Sequence, residues 1–413
     1  MSSVRYSGAM ENRLALVIVV DGLRAASLGT YGNTSFPTPQ LDVLASRSLV
    51  VEWLLADSPT LEGFYRSVWN SHSSEANYLP RLMQQAGVRQ WLMTDNPAIG
   101  EQFDIGVFDE VVSVEQGQYL AAEEVEETQA VRFFAQAIEQ LALWQKDAQE
   151  QQRSGLLWIH SSGLCGPWDA PLELRSDLLD DEDPLPPDFV IPPVSLETDD
   201  LDELLGYRVA YAAQIAVLDA CLAGFVEAFR ALPTNSQNLI VLTSSRGYSL
   251  GEHGCVGPSC AGLYSEQMHL PLLLMSKETN VPLPRVTGFA QPADLGATLR
   301  EWFADNSSGS KSHGISLMPI LSGEPGRLRD VAFATGLNGE QTIRTPAWQL
   351  HQRDTVELYA KPDDQWEAND IASRCPDIVQ ALSELLTQCL QANKEGDSLP
   401  EVQLSEELLS IWR

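Results

Sequence analysis

The feature that most constrains the fold is the run Leu14–Val20, which is wholly apolar and rich in β-branched residues, and which stops at Asp21-Gly22. A strand without polar alternation is buried on both faces, so it belongs in the middle of a parallel sheet, with a loop at its C-terminal end. Further segments repeat the theme. Gln90–Met93, Leu156–Ile159, Leu239–Thr243 and Leu270–Met275 read as short buried strands. Between them, helices are predicted at Thr38–Ala45, where Thr and Pro open the first turn, at Leu79–Ala86 before Gly87, at Glu123–Gln145 and at Tyr207–Leu232. In Glu123–Gln145 the apolar stripe is read as Val131, Phe134, Ile138 and Leu141. Strands alternating with helices imply an α/β fold: a large, mostly parallel sheet sandwiched by helices.

Two segments depart from this alternation. Asp177–Asp202 is acidic and rich in proline, with little periodicity, and is expected to be a surface excursion. After about Gly323 the pattern turns to short strands (Ala347–Leu350, Glu357–Tyr359) and a last helix from Pro376 to Gln391. The expected organisation is therefore an α/β unit over residues 1–322 and a small α+β subdomain over 323–413.

The 413-residue chain carries 26 Lys+Arg against 57 Asp+Glu, a formal charge of −31. That balance argues against nucleic acid and anionic membranes as partners, since both demand positive charge; its plainest role is solubility. No run approaches the ~18 apolar residues of a membrane span. The six cysteines include no Cys-x-x-Cys pair and no zinc-type spacing. Met1–Arg13 is polar and the apolar run Leu14–Val20 leads straight into Asp21-Gly22 with no small-residue cleavage site, so the chain is expected to be cytoplasmic, with reduced thiols.

Several motifs, in order, resemble the sulfatase branch of the alkaline-phosphatase superfamily. Val19-Val20-Asp21-Gly22-Leu23-Arg24 followed by Leu28–Asn33 resembles the opening strand and loop, and Thr38–Asp42 the first helix. Thr243–Gly254 is similar to the late strand-loop motif, with Leu263-Tyr264 and Pro271–Leu273 after it. Ile343–Thr345, Glu357–Tyr359 and Asp363–Asn369 resemble the C-terminal subdomain. The resemblance runs from about residue 14 to 390.

It implies a definite chemistry. A divalent cation, usually Ca²⁺, is held by two adjacent acids after the first strand and an Asp-Asn or Asp-His pair after the late strand. The cation activates a formylglycine nucleophile made from Cys or Ser at the head of a Cys/Ser-x-Pro/Ala-x-Arg motif, and Lys and His neutralise the sulfate. This sequence departs from that plan at each point. Asp21 is present but Gly22 replaces the second acid, and Ser245-Arg246 stands where the late pair belongs. Ser58–Arg66 contains no Cys and no correctly spaced Ser, Cys165 stands where a sulfate-binding His is expected, and Pro258 where a Lys is.

The reading that follows is a non-catalytic sulfatase-like protein, with no cofactor, whose former active-site pocket binds an anionic small molecule or a protein partner, or serves as a scaffold. Candidate pocket residues are Asp21 (the remnant metal ligand), Arg24, Arg66, Arg246 and His253, with Asp21 and Arg246 expected to face each other. Thr60 is the weak nucleophile candidate, because phosphodiesterase relatives use an unmodified Thr there, although a hydroxyl needs a metal or base to lose its proton. Two other readings stand beside it: a sulfuric-ester or phosphoester hydrolase whose Ca²⁺ ligands come from unaligned residues, and a structural subunit paired with an active relative.

Overall fold

A computed structural model describes residues 12–69, 77–117, 120–151, 153–232, 236–276, 285–303, 314–324, 328–395 and 404–410. In chain order the first twelve strands are β1 (Arg13–Val20), β2 (Leu49–Leu55), β3 (Arg89–Thr94), β4 (Glu110–Ser113), β5 (Gly155–Ser161), β6 (Leu196–Glu197), β7 (Gln237–Thr243), β8 (Ser249–Leu250), β9 (Cys255–Gly257), β10 (His269–Leu270), β11 (Leu272–Ser276) and β12 (Arg285–Ala290). Nine of them form one sheet in the order β10-β2-β11-β7-β1-β5-β3-β4, with β12 pairing β2. β1 lies parallel between β5 and β7, with Val20 opposite Ser161 and Val19 opposite Thr243. β11 runs antiparallel to both β7 and β2, so the sheet is mixed but mostly parallel.

β1 is central because each of its faces has a core to enter. Leu14, Leu16, Ile18 and Val20 pack on one side, against the helices Gln129–Gln151 and Leu201–Ala231. Ala15, Val17 and Val19 pack on the other, against the helices Leu61–Trp69, Leu79–Gln85 and Pro292–Phe303. Four further strands, β13 (Ala332–Thr335), β14 (Gln341–Arg344), β15 (Trp348–Gln352) and β16 (Val356–Ala360), form a small antiparallel sheet, with the helix Pro376–Glu395 against its apolar face.

Four readings of the sequence need correction. The helix expected over Glu123–Gln145 begins at Gln129, whose N–H is received by a carboxylate oxygen of Asp169 at 2.7 Å. Its buried stripe is Phe133, Phe134, Ala137, Leu141 and Trp144, which leaves Ile138 exposed, because the bulkiest aromatic side chains set the face. The helix expected from Tyr207 begins at Leu201, since Asp200 caps it by accepting the N–H groups of Asp202 and Glu203. That same helix is long and apolar enough to cross a bilayer by length and composition, contrary to the absence expected, yet 72% of its apolar window is buried in the protein.

The fourth correction concerns the thiols. Cys255 and Cys260 form a disulfide, leaving Cys165, Cys221, Cys375 and Cys389 free. Six reduced thiols, which went with the cytoplasmic expectation, are not what the structure contains. The pairing arises because β9 turns back through Gly257-Pro258-Ser259 and brings the two Cα atoms to 5.9 Å, a tertiary event that the spacing of five does not advertise.

Candidate functional site

Parallel strands deliver their C-terminal ends to one edge, and the polar groups of the candidate site collect there. Asp21 follows β1 and is completely buried, its N–H held by the Ser161 carbonyl at the end of β5. Ser245 and Arg246 follow β7. The Ser245 hydroxyl donates to Asp21 Oδ1 at 2.6 Å, and Arg246 donates from Nε to Oδ1 and from Nη2 to Oδ2, each at 2.9 Å. Burial pushes the Asp21 carboxyl up, but the Arg246 guanidinium, with smaller help from His160 and Ser245, brings it below its ordinary value. Asp21 is therefore an ionised carboxylate with both oxygens engaged.

The fit to a hard cation can be tested on this geometry. Ca²⁺ takes about six to eight oxygens. Here both oxygens of Asp21 are occupied, a guanidinium has no lone pair to offer, and no cluster of three or more His, Cys, Asp or Glu with metal-binding geometry exists among the described residues. Gly22, where a second acid would stand, has φ +80°, and a Cβ there would meet Cys165 Sγ at 3.0 Å. These residues do not fit the family's cation.

Cys165 lies against this pair and interacts with both Asp21 and Arg246; burial drives its thiol far above the ordinary range, so it is protonated and unreactive. Arg24 donates to Glu252 Oε1 at 2.6 Å and to Ser27 Oγ at 2.9 Å, so its charge too is met by a carboxylate. Arg66 is not brought to this cluster: it sits on the solvent side of the helix Leu61–Trp69 and pairs with Glu62 one turn earlier. Thr60 caps that helix, its hydroxyl accepting the Gly63 N–H at 2.9 Å and lying 3.1 Å from Ser58 Oγ. No hydrogen bond joins Thr60 to Asp21 or Arg246 among the described residues.

His253 has another position again. With φ +54° it stacks on Tyr264 at 3.6 Å between ring centres, with Nδ1 2.9 Å from Glu266 Oε1 and Nε2 3.2 Å from the Glu367 carbonyl. It thus ties the late loop to the C-terminal region.

The cluster also contains residues that the sequence reading passed over. His160, at the end of β5, has Nδ1 2.9 Å from the Tyr65 hydroxyl, whose oxygen accepts the Trp158 indole N–H at 3.1 Å. His160 Nε2 is a buried atom with no partner among the described residues. Burial lowers the His160 pKa to about 4, against the pull of Asp21, so the ring is neutral. Asp95, after β3, accepts the Ser162 N–H at 2.6 Å, and burial pushes its carboxyl up to about 6. Both residues immediately follow or end predicted strands, and that position was the available signal.

Comparison with known proteins decides the ancestry. The family model for sulfatases matches residues 13–305. This chain is a member of the sulfatase family. The multifunctional alkaline phosphatase superfamily protein PehA of Trinickia caryophylli is 29% identical over 131 residues, 30% of this sulfatase-family chain and 24% of that protein, so the aligned stretch spans about a quarter of its length. Among solved structures, the phosphonate monoester hydrolase of Agrobacterium radiobacter superposes with a TM-score of 0.69 at 17% identity, covering 96% of this chain and 98% of that one. A 2-O GAG sulfatase superposes with a TM-score of 0.69 at 16% identity, covering 93% of each chain. At such identities the superpositions establish the fold. They show a large sheet flanked by helices and a small C-terminal antiparallel sheet as this family's architecture.

Proposed function

We propose that this sulfatase-family protein is non-catalytic and that it works by binding or scaffolding. The observation that carries the reading is the Arg246–Asp21 pair: the one carboxylate left from the expected metal set gives both oxygens to a guanidinium. Such a pair neutralises itself, so the pocket needs no ion to offset buried charge. The same observation bears on the ligand. Arg246 is satisfied by Asp21 and Arg24 by Glu252, so an anion entering here would have to compete with two carboxylates already in place. A protein partner fits this arrangement better than a sulfated or phosphorylated small molecule. Thr60 serves as a helix cap, and a hydroxyl without a metal or base beside it is a poor nucleophile.

The test is direct. Purified protein is assayed on aryl sulfate, aryl phosphate and a phosphonate monoester, with and without added Ca²⁺ or Mn²⁺, beside Thr60→Ala. Elemental analysis and peptide mapping of Ser58–Arg66 accompany the assay. The expected result is turnover no higher than in Thr60→Ala, no stoichiometric metal and no aldehyde in that peptide. Metal-dependent turnover that Thr60→Ala abolishes would establish the hydrolase reading instead.

A further inference from the structure

Beyond the pocket, the acidic proline-rich segment presents an arrangement that neither solubility nor packing accounts for. Leu185, Ile191 and Val194 are 86%, 69% and 68% exposed, three large aliphatic side chains within ten residues of chain. Isolated exposed aliphatics are ordinary on protein surfaces. What distinguishes these is the backbone that carries them, which is fastened to the body of the protein along its length. Val190 is buried and exchanges hydrogen bonds with Trp168 in both directions, at 2.9 and 3.1 Å. The Tyr248 hydroxyl donates to the Pro193 carbonyl at 2.8 Å, the Ser259 N–H donates to the Val194 carbonyl at 3.0 Å, and Arg175 donates to the Pro187 carbonyl. Gly257 passes so close beneath that a Cβ there would lie 2.3 Å from the Val194 carbonyl oxygen. A chain free to bury these three side chains by local collapse is held where it cannot.

Five prolines, at positions 184, 186, 187, 192 and 193, stiffen the segment further. Pro192-Pro193 fixes two backbone angles between Ile191 and Val194 and disfavours a helical conformation at Ile191. A preordered apolar edge binds at low conformational cost, since little freedom remains to be lost.

Charge decides the occupant. Asp180, Asp181, Glu182 and Asp183 immediately precede the apolar stretch, and none forms a salt bridge among the described residues. A second copy of this chain, at −31, would bring the same acidic flank against itself. An anionic membrane or a nucleic acid would be repelled for the same reason. We propose that residues 180–194 form a docking ridge for a protein partner whose apolar groove, rimmed by Lys and Arg, receives Leu185, Ile191 and Val194. The inference stands whether or not the former active site is catalytic.

The experiment uses the full chain and a library of random short peptides displayed on phage. Selection is made on the wild type alone, and the enriched peptides are then tested on the triple variant Leu185→Ser, Ile191→Ser, Val194→Ser. The substituted side chains are exposed, so the melting temperature of the variant checks that it is folded. Enriched peptides are expected to combine Lys or Arg with aliphatic or aromatic anchors. They should bind the triple variant at least about tenfold more weakly. They should also lose affinity when Asp180, Asp181, Glu182 and Asp183 are changed to their amides, and when salt shortens the screening length. Peptides that bind wild type and triple variant equally, or that are insensitive to the acidic residues, would overturn the proposal. So would a dimer of this chain, seen by sedimentation equilibrium, that the triple variant dissolves.

Discussion

Arg246 grips Asp21 with two prongs, Nε on Oδ1 and Nη2 on Oδ2, both at 2.9 Å, at the point where β1 and β7 end side by side. Asp21 is wholly buried and the Arg246 side chain is 18% exposed. Removing one partner of such a pair leaves the other charge stranded, at a cost of about 3–5 kcal/mol. Arg246→Met is therefore expected to lose stability on the order of 3 kcal/mol, the lower figure reflecting its residual exposure. Asp21→Asn together with Arg246→Met should recover much of the loss. Denaturant unfolding of the two single variants and the double variant measures the coupling; strict additivity would mean that the pair contributes nothing.

The same contact has a pH signature. The Asp21 carboxyl titrates below its ordinary 3.8 in the folded state. Its contribution to stability is present above that value and is lost as pH falls through the lower folded value. The wild type should keep this increment until the pH is below about 4, whereas Arg246→Met should lack it throughout. Melting curves from neutral to acid pH compare the two.

Gly22 stands where a second acid would be needed, and restoring one is opposed by the backbone. Its φ of +80° disfavours any side chain, and the new Cβ would press on Cys165 Sγ and on the Leu164 carbonyl carbon at 3.1 Å. Gly22→Asp should destabilise the protein by about 1–3 kcal/mol and should bring no calorimetrically detectable Ca²⁺ binding while Arg246 remains. Heat of Ca²⁺ binding by Gly22→Asp alone would show that the guanidinium is easily displaced.

His253 and Glu266 share a proton between two sites that both favour it. Burial lowers the His253 pKa, but the Glu266 carboxylate and the Glu367 carbonyl outweigh it and leave it above 6.5; burial raises Glu266, against the opposing effect of His253. Glu252 adds repulsion on Glu266, while the Glu367 carboxylate is engaged by Lys361 at 2.8 Å. Both groups hold protons more tightly folded than unfolded. Their contribution is complete at low pH and drains away as pH rises, for His253 through its raised folded value. The melting temperature should fall as pH rises above about 6.5, and this fall should be smaller in His253→Asn, which tolerates the left-handed backbone. Parallel profiles for the two proteins would remove His253 from the account.

The Cys255–Cys260 bond closes the loop against which β6 pairs, Leu196 facing Val256 and Glu197 facing Cys255. In denaturant without reductant, four of the six cysteines should alkylate. Cys255→Ser with Cys260→Ser should cost about 2 kcal/mol, the loop entropy of so short a ring. Hydrogen exchange at Glu197 and Ser259 should accelerate, and unchanged protection there would show that the bond braces nothing.

Much of this molecule could be read along the chain. Leu14–Val20 declared a strand with two buried faces, and β1 has one core on each side because its odd and even residues are all apolar. The ordered motifs from Asp21 to Asn369 sufficed for the family, and the absence of a Cys or a spaced Ser in Ser58–Arg66 needed no coordinates. The meeting of Asp21 with Arg246 was expected because both follow strands of one parallel sheet. Other features lie outside any one-dimensional pattern. His160 and Asp95 looked like ordinary strand ends until helix Leu61–Trp69 laid Tyr65 against the one and the Ser162 loop closed over the other. Arg66 carried a plausible motif position, yet its helix turns it to solvent, since Phe64, Tyr65 and Val68 claim the buried face. The disulfide depended on a turn folding back on itself. Sequence determined which segments must be buried and which chemical groups stand at the strand ends, because burial and periodicity are local properties. Tertiary structure alone decided which of those groups touch, because partners such as Asp21 and Arg246, 225 residues apart, meet only once the sheet has set its strand order.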